Sequence, residues 1–487
     1  MSPSGKWRGW LAVTGGVLVH LTIGTIYSYG NMAPYMTSYI RKYSYPSTLS
    51  YQESSFIFAL MLFGQGSSMF IGGYIEAKLG PRITTLIGCL LVSMGMMLSA
   101  LSIRVSFFLL LLTYGLIFGL GVGIAYVPPL VCAMKWLPEK KGLVNGLVVA
   151  GFGGGAFIFN QIQTGYLNPH NLDPNVTDSQ DHTAKYYDQD SILDKVPMSY
   201  VLQGGIYLAI QIVGVILLKD PPDNGVNNSL YNDESGLLDA QSQAKKTTHM
   251  DASDPEGPTE EGDEDGQSKR LPFGIPFPLE NGGDSKASGL DLPPKVMVRT
   301  TAFWLLWATF LVNGQGIMFI SSLYKAYGQM FIPDDHFLAL VGSFAAIFNA
   351  GGRLFWGCLA DRYSYKLAMV LLTGSNAIFI LTLVAAQYGG KAMFFIWICG
   401  IFFTFSGNFA LFPTATARAF GSKYVGPNYG IVFTSVALSS AIGAVLATTL
   451  HDHLAWFGMF MIMAGFSIIG LVLTFFFRVK NQEGNHI

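Results

Sequence analysis

Long apolar stretches recur along this sequence of 487 residues, and they limit the folds that it can adopt. An α-helix needs about 20 mostly apolar residues to cross the hydrocarbon core of a bilayer, where every backbone group must be hydrogen-bonded internally. Twelve stretches meet that requirement, and we number them spans 1 to 12. They lie near residues 9–33, 54–79, 83–103, 107–134, 142–165 and 199–218 in the first half and near 302–324, 337–360, 366–387, 391–415, 428–450 and 456–477 in the second. The sequence therefore predicts an all-α membrane protein with twelve transmembrane helices.

The composition supports a membrane protein and excludes other classes. Hydrophobic residues make up 51% of the chain and charged residues 12%, whereas a soluble domain has roughly 25% charged residues. A formal net charge of −1 gives no electrostatic support for binding nucleic acid. The spans contain no pair of carboxylates, no cluster of metal ligands and no nucleophile beside a base. We therefore predict that the chain is not an enzyme and uses no metal or cofactor.

A polar segment separates the two sets of six spans. Residues 220–298 contain 16 of the 30 acidic residues and are rich in Pro, Gly, Ser and Asp, a composition typical of disorder. We predict a first six-helix bundle over 1–219, a disordered acidic cytoplasmic linker over 220–298, and a second six-helix bundle with a short tail over 299–487. The linker could bind a protein partner that the sequence does not identify.

Lys and Arg are distributed unevenly between the two ends of the spans. With both termini and the linker in the cytoplasm, the short cytoplasmic segments and tails carry thirteen of them. The outer loops carry seven, namely Arg41, Lys42, Arg104, Lys185, Lys195, Lys325 and Lys391. This bias favours that orientation. Asn175-Val176-Thr177 then lies outside as a glycosylation sequon, which favours the plasma membrane over a mitochondrial or plastid membrane. An endolysosomal or other organelle membrane is the alternative location.

The two halves of the chain repeat short motifs at nearly the same offset. Gly72-Gly-Tyr-Ile-Glu76 follows span 2, and Gly357-Cys-Leu-Ala-Asp361 follows span 8, 285 residues later. Gly146 near the start of span 5 and Gly430 near the start of span 11 are 284 residues apart. Two bundles related by a repeat, with a solute site at their interface, are typical of alternating-access carriers.

These motifs resemble those of a known family. Gly72-Gly-Tyr-Ile-Glu-Ala-Lys-Leu-Gly80-Pro-Arg82 resembles the signature of the major facilitator superfamily between helices 2 and 3, with Glu76 where Asp is usual. Four other segments are similar to the oxalate/formate antiporter family, which includes bacterial oxalate and lactate carriers and apicomplexan pyruvate carriers. They are Lys135-Trp-Leu-Pro138-Glu-Lys-Lys-Gly142, Asn349-Ala-Gly-Gly-Arg353-Leu-Phe-Trp356-Gly357, Ala410-Leu-Phe-Pro413 and Asn428-Tyr-Gly430. The resemblance implies a secondary transporter of a small carboxylate.

Arg353 is the one basic residue well inside a predicted span. It lies eight residues before Asp361, about 12 Å deep at 1.5 Å per residue, and all 14 acidic residues outside the linker lie at helix ends, in loops or in the tail. A central charge costs at least about 2.5–3.5 kcal/mol and marks a candidate functional site. Because a guanidinium can hold a carboxylate through two parallel hydrogen bonds, we predict that Arg353 anchors the solute, as the resemblance also implies. The alternative is that Arg353 snorkels to the cytoplasmic face.

Other residues are predicted to complete the solute site. Asn349 lies one helical turn before Arg353, where its amide would orient the guanidinium, contact the solute, or simply pack between helices. The resemblance implies that four aromatic residues line the site, although each could instead pack or face lipid. They are Tyr27, Tyr126, Phe405 and Phe409.

Two further roles concern protons and gating. His20 is the only histidine deep in a predicted span, two helical turns before Tyr27 on roughly the same face. It could relay a proton or be a hydrogen-bonded structural residue. The repeated motifs are predicted to form latches between helices at the cytoplasmic face. The residues of this gating motif are Glu76, Arg82, Asp361 and Arg362.

The combined prediction is a transporter that moves a small monocarboxylate of the lactate or pyruvate type by alternating access. Its partners would be that carboxylate and membrane lipid. One alternative is a carrier of another small organic anion, such as formate, oxalate or a keto acid. The other is a solute sensor that has lost transport and signals through the acidic linker. Symport, antiport and uniport are not separated by the sequence.

The preference for a monocarboxylate can be tested at Val436. The oxalate carriers have a second basic residue, a lysine, on the helix that matches span 11, and Val436 is at that position here. A dianion would therefore leave one buried negative charge unpaired. We expect Val436→Lys to raise uptake of radiolabelled oxalate relative to radiolabelled lactate. An unchanged ratio would contradict this charge-matching argument.

Overall fold

The computed structural model describes residues 3–137, 141–178, 184–219, 291–421 and 424–477. The predicted linker lies outside the described residues except for 291–298, and so do residues 138–140 of the Lys135–Gly142 motif. The segment 291–298 is not linker, which corrects the predicted boundary. The Leu292 amide donates to the Phe420 carbonyl over 2.8 Å, and Met297 is fully buried. We therefore take 3–219 as the first half and 291–477 as the second half.

The first half contains spans 1 to 6. Span 1 is a pair of helices joined by the 3-10 turn Gly24–Ser28, and spans 2 and 3 form one helix that breaks at Gly80, where φ is 76°. The helical segments are Pro3–Ile23, Tyr29–Tyr43, Tyr51–Ser54, Phe56–Val105, Phe107–Leu110, the π-helical Leu111–Ile117, Phe118–Trp136, Lys141–Leu167, Asp190–Leu193 and Val196–Leu217. Between spans 5 and 6, Val176–Thr177 and Lys185–Tyr186 pair as a short antiparallel hairpin.

The second half contains spans 7 to 12. Spans 9 and 10 break at Gly390, where φ is 61°, and spans 11 and 12 break at Ala455, where φ is 48°. A left-handed residue reverses the local chain geometry and cannot continue a right-handed helix. The helical segments are Pro294–Met297, Thr301–Gly328, Asp335–Arg362, Tyr365–Thr382, the 3-10 turn Leu383–Ala385, Ala386–Ser406, Asn408–Phe420 and Val425–Phe476.

The number of membrane crossings follows from helix lengths. Within the described residues, ten helical stretches are long and apolar enough to cross a membrane. One of them, Tyr365–Phe420, has 56 residues, or about 84 Å of helix, and a core of about 30 Å needs only one third of that. It breaks at Gly390 into spans 9 and 10. The ten stretches therefore hold eleven spans, and the helix Lys141–Leu167 supplies the twelfth, span 5. Each predicted span corresponds to a helix of the described residues, and the all-α fold is confirmed.

Span 1 extends farther than predicted. Its second helix ends at Tyr43 instead of near residue 33, and the added turns carry the buried residues Tyr35 and Ser38. Polar residues lower the hydropathy of a stretch, so the predicted length of span 1 was too short. The loops 44–50 and 329–334 and the hairpin lie at this end of the spans. We call it the outer end, following the Lys and Arg bias.

Span 1 and span 5 are packed closely through glycine. A Cβ atom at Gly155 would lie 2.2 Å from the Leu21 carbonyl oxygen, whereas a Cβ at the adjacent Gly154 would meet nothing within 4 Å. The two glycines therefore have different roles on one helix. Gly155 permits backbone contact between helices, and Gly154 faces open space.

This contrast gives a stability prediction. We expect Gly155→Ala to destabilise the protein by about 1–3 kcal/mol, because the added methyl group overlaps the backbone of span 1. Gly154→Ala is the matched control and should leave stability unchanged or raise it by up to about 1 kcal/mol, because alanine is the better helix former. Thermal unfolding of the two purified variants in detergent tests this difference. Equal midpoints would show that the helices move apart without penalty.

Candidate functional site

Arg353 lies buried in the helix Asp335–Arg362, with 5% of its surface exposed. Its Nε donates a hydrogen bond to Asn349 Oδ1 over 3.1 Å, and the one-turn spacing predicted this contact. Nη1 and Nη2 are also buried, and neither has a hydrogen-bond partner among the described residues. The guanidinium is therefore held by one edge and presents its other donors to the interior.

Aromatic rings from both halves surround this guanidinium. Arg353 Cζ lies 4.7 Å from the ring centroid of Phe409 and 5.3 Å from that of Phe152. Both distances are within the range of cation–π attraction. Phe409 belongs to span 10 and Phe152 to span 5. The charge is thus placed at the interface of the two halves.

Tyr27 and Phe405 belong to the same group of rings. The ring of Tyr27 lies 5.8 Å from Phe152, 6.2 Å from Phe405 and 6.5 Å from Phe409, centroid to centroid. Tyr27 also interacts electrostatically with Arg353. Its place is set by the 3-10 turn in span 1, which carries Tyr27 at a buried position. One wall of the site therefore comes from each half.

Tyr126 and His20 lie on the first-half side of this cluster. Their rings are 5.1 Å apart, and Tyr126 is also 5.1 Å from Phe152. His20 is fully buried, and its Nδ1 lies 3.0 Å from the Gly16 carbonyl oxygen. Its Nε2 has no hydrogen-bond partner among the described residues. The structure thus brings seven predicted residues into one cluster: Arg353, Asn349, Tyr27, Tyr126, Phe405, Phe409 and His20.

Three residues of the cluster were missed by the sequence analysis. Phe152 is central, because it contacts Arg353, Tyr27, Tyr126 and His20. Its only signal in the sequence is its position among Gly151, Gly153, Gly154 and Gly155, a pattern that indicates close helix packing. Phe402, 6.5 Å from Tyr27, and Tyr429, which interacts electrostatically with Arg353, were also missed.

A second buried cation corrects the charge analysis. Lys325 was assigned to an outer loop, but it lies in the helix Thr301–Gly328 and its side chain is 0% exposed. It forms an ion pair of 2.7 Å with Asp335, whose side chain is 1% exposed. Arg353 is therefore not alone as a basic residue buried in a span. Since the pair is neutral overall, it does not change the charge available near Arg353.

The gating motif forms two equivalent ion pairs, one in each half. Glu76 lies 3.9 Å from Lys135, and Asp361 lies 2.7 Å from Arg418. The acids are 285 residues apart and the bases 283, so the pairs obey the internal repeat. Arg82 and Arg362 are exposed and are in no ion pair within the described part of the chain. The acidic members thus pair with Lys135 and Arg418, which the sequence analysis did not include.

Comparison with known proteins identifies the family. The sequence profile described as Major Facilitator Superfamily matches residues 16–426 and 306–486. The chain belongs to the major facilitator superfamily. It is therefore an integral multi-pass membrane transporter and not an enzyme, as the motifs predicted.

Similar proteins agree with this assignment. The chain is 29% identical to apicoplast pyruvate carrier 1 of Toxoplasma gondii, over 91% of this chain and 83% of the relative. It is 24% identical to the oxalate:formate antiporter of Oxalobacter formigenes, over 85% and 79% of the two chains. The crystal structure of a D-xylose-proton symporter is 12% identical, with a TM-score of 0.66 over 98% of this chain and 99% of the symporter. The predicted resemblance is confirmed, and the solved structure supports the fold.

The ion pair between Asp361 and Arg418 generates a kinetic prediction. We expect Asp361→Asn and Arg418→Gln each to lower the maximal transport rate more than they change the half-saturating concentration, because the pair lies at the ends of helices and away from the cluster. The double variant should lose no more than the worse single variant, because both remove one interaction. Arg362→Gln is the neighbouring control. Additive losses would show that the two residues act separately.

Proposed function

We propose that this protein is a secondary transporter of a small monocarboxylate, of the lactate or pyruvate type, with Arg353 as the carboxylate anchor. The observation that carries the proposal is the buried guanidinium at the interface of the halves, whose two Nη atoms have no hydrogen-bond partner within the described ranges. A carboxylate would accept two parallel hydrogen bonds from such a fork. Asn349 would hold the guanidinium in place by accepting from Nε.

Charge balance favours a monoanion. Lys325 is compensated by Asp335, which leaves the charge of Arg353 to be neutralised by the solute. A dianion would keep one negative charge unpaired in an apolar site, at high cost. Val436, where the oxalate carriers have lysine, is apolar and 2% exposed. It lies one turn after Phe433, whose ring contacts Phe409.

The walls of the site favour a small acid with an apolar end. Phe152, Phe402, Phe405 and Phe409 are buried and offer no hydrogen bonds, so they suit a methyl group and exclude water. Tyr27 and Tyr126 supply hydroxyl groups on the first-half side. A keto or hydroxyl oxygen of the solute would be directed toward these hydroxyls.

The relatives support this substrate class and also supply the second candidate. The pyruvate carrier of Toxoplasma gondii favours a monocarboxylate. The oxalate:formate antiporter favours exchange of other small anions, namely oxalate and formate. Because this chain has Val436 where the oxalate carriers have lysine, oxalate is the less favoured substrate. No contact of the described residues favours a sensor without transport.

Proton coupling and location are narrower parts of the proposal. His20 is the proposed proton relay, because its Nε2, which makes no hydrogen bond in the part of the chain that the structure describes, lies in the same cluster as Tyr126 and Phe152. Asn175 is exposed in the outer hairpin region, which favours glycosylation and the plasma membrane. The relative named for the apicoplast favours an organelle membrane instead. A fluorescently tagged chain, with and without glycosidase treatment, separates the two locations.

The proposal predicts that Arg353 is needed for uptake. In proteoliposomes, the wild-type chain should take up radiolabelled lactate or pyruvate saturably, with competition by formate stronger than competition by oxalate. Arg353→Ala should lower kcat/KM at least about 100-fold, because each charge-assisted hydrogen bond contributes about 1.5–3 kcal/mol. Arg353→Lys should rescue it only partly, because an ammonium lacks the planar fork.

Arg299→Ala is the matched control, because it removes an exposed guanidinium far from the cluster in sequence. It should transport as the wild-type chain does. Equal, non-saturable flux through wild type and Arg353→Ala would reject the monocarboxylate anchor. Saturable flux of oxalate alone would favour the second candidate.

A further inference from the structure

A buried ion pair lies at the outer end, separate from the solute cluster. Lys325 and Asp335 both belong to the second half, on spans 7 and 8, with Nζ 2.7 Å from Oδ1 and side chains 0% and 1% exposed. Asp335 precedes Arg353 by 18 residues on one helix, or about 27 Å along its axis. The pair therefore cannot share a small solute with Arg353.

The first half supplies further hydrogen bonds to this pair. Lys325 Nζ donates to Asn31 Oδ1 over 2.9 Å and to the Tyr35 hydroxyl over 3.3 Å. Asp335 Oδ2 accepts from the Tyr35 hydroxyl and, over 3.0 Å, from Asn168 Nδ2. Three residues of the first half thus enclose a charge pair of the second half. The contacts form only when the two halves meet at this end.

Neighbouring residues extend this contact between the halves. Asn171 Nδ2 donates to Asp334 Oδ1 over 3.0 Å, and the His336 ring lies 2.7 Å from the Asn168 carbonyl oxygen. Deeper in the interface, a Cβ atom at Gly30 would lie 2.2 Å from the Ser321 carbonyl oxygen. The backbones of spans 1 and 7 therefore touch directly below the ion pair, and the outer end is closed in this structure.

Alternating access requires that the outer end open by parting of the two halves. Parting would remove Asn31, Tyr35 and Asn168 from the ion pair and expose it to water. Closing would remove that water, and a desolvated pair is stable only when both charges and their hydrogen bonds are present. We propose that Lys325 and Asp335 form the outer gate of this transporter. They are positioning residues, since they set the closed state without touching the solute.

The gate predicts a change in access that can be measured with a thiol reagent. Ser321 is a suitable reporter, because it is 0% exposed, lies one turn before Lys325, and its Oγ has no hydrogen-bond partner among the described residues. Ser321→Cys is made in a chain whose other cysteines, except Cys89, are replaced by serine. A membrane-impermeant maleimide is then applied to the outer face of cells or right-side-out vesicles.

We expect Asp335→Asn to raise the labelling rate of the reporter at least about tenfold, because the closed state would then bury an unpaired ammonium. Tyr35→Phe and Asn168→Ala each remove one first-half contact and should give smaller increases. The double change Lys325→Met with Asp335→Leu removes both charges and should label more slowly than Asp335→Asn alone. This rescue separates the charge pair from general damage to the fold.

Lys391→Met is the matched control. It removes another outer-end lysine that is paired with an aspartate, Asp334, but its side chain is 52% exposed. Its labelling rate should equal that of the parent. Cys89 is 1% exposed in span 3 and reports unfolding, because a folded chain should leave it unlabelled in every variant.

The gate would be overturned if Asp335→Asn, Tyr35→Phe and Asn168→Ala all label at the same rate as the parent chain while Cys89 stays unlabelled. If Asp335→Asn labels Cys89 and therefore unfolds, Tyr35→Phe and Asn168→Ala decide the question alone. The readout does not depend on the transported solute. Failure of the gate is therefore distinguishable from failure of the monocarboxylate proposal.

Discussion

A charged group inside a membrane must find an opposite charge or water, and this structure meets that requirement in two ways. Lys325 and Asp335 compensate each other within the protein and share hydrogen bonds with Asn31, Tyr35 and Asn168 of the first half. Among the described residues, Arg353 is in no ion pair and contacts neutral groups, namely the amide of Asn349, aromatic rings and Tyr27. The first arrangement is complete without a ligand, and the second is not. This difference is the basis for proposing that one site serves closure and the other binds an anion.

Most of the fold was predictable, because the hydrocarbon core imposes one length on every helix. The helix breaks at Gly80 and Gly390 were expected from the gaps between apolar stretches. The burial of Lys325 was not predictable from the apolar stretches. A lysine that directly follows an apolar stretch is predicted to lie in a loop. Lys325 follows span 7 in this way, and its partner Asp335 lies just before span 8. Only packing between spans shows that both are buried.

The sequence could predict those residues of the candidate site whose type is unusual at their position in a membrane helix. Arg353 could be found because a deep charge is exceptional in a membrane helix. Phe152 could not be found in this way, because nothing in the sequence distinguishes it among the 36 phenylalanines of the chain. Its role depends on Gly24, where a Cβ would lie 2.0 Å from the Phe152 carbonyl oxygen. That contact brings span 1 against span 5 and is invisible to local patterns.

The repeat seen in the pairs Glu76–Lys135 and Asp361–Arg418 has a consequence for symmetry. At the offset of 285 residues that relates Glu76 to Asp361, the counterpart of Arg353 in the first half is Ser68, which donates to the Gly64 and Leu120 carbonyl oxygens. A dimer of identical halves would have placed two guanidinium groups around one axis. Because the two halves are parts of one chain, the equivalent positions of Arg353 and Ser68 can differ. The centre of a nearly symmetric scaffold can therefore carry a single guanidinium.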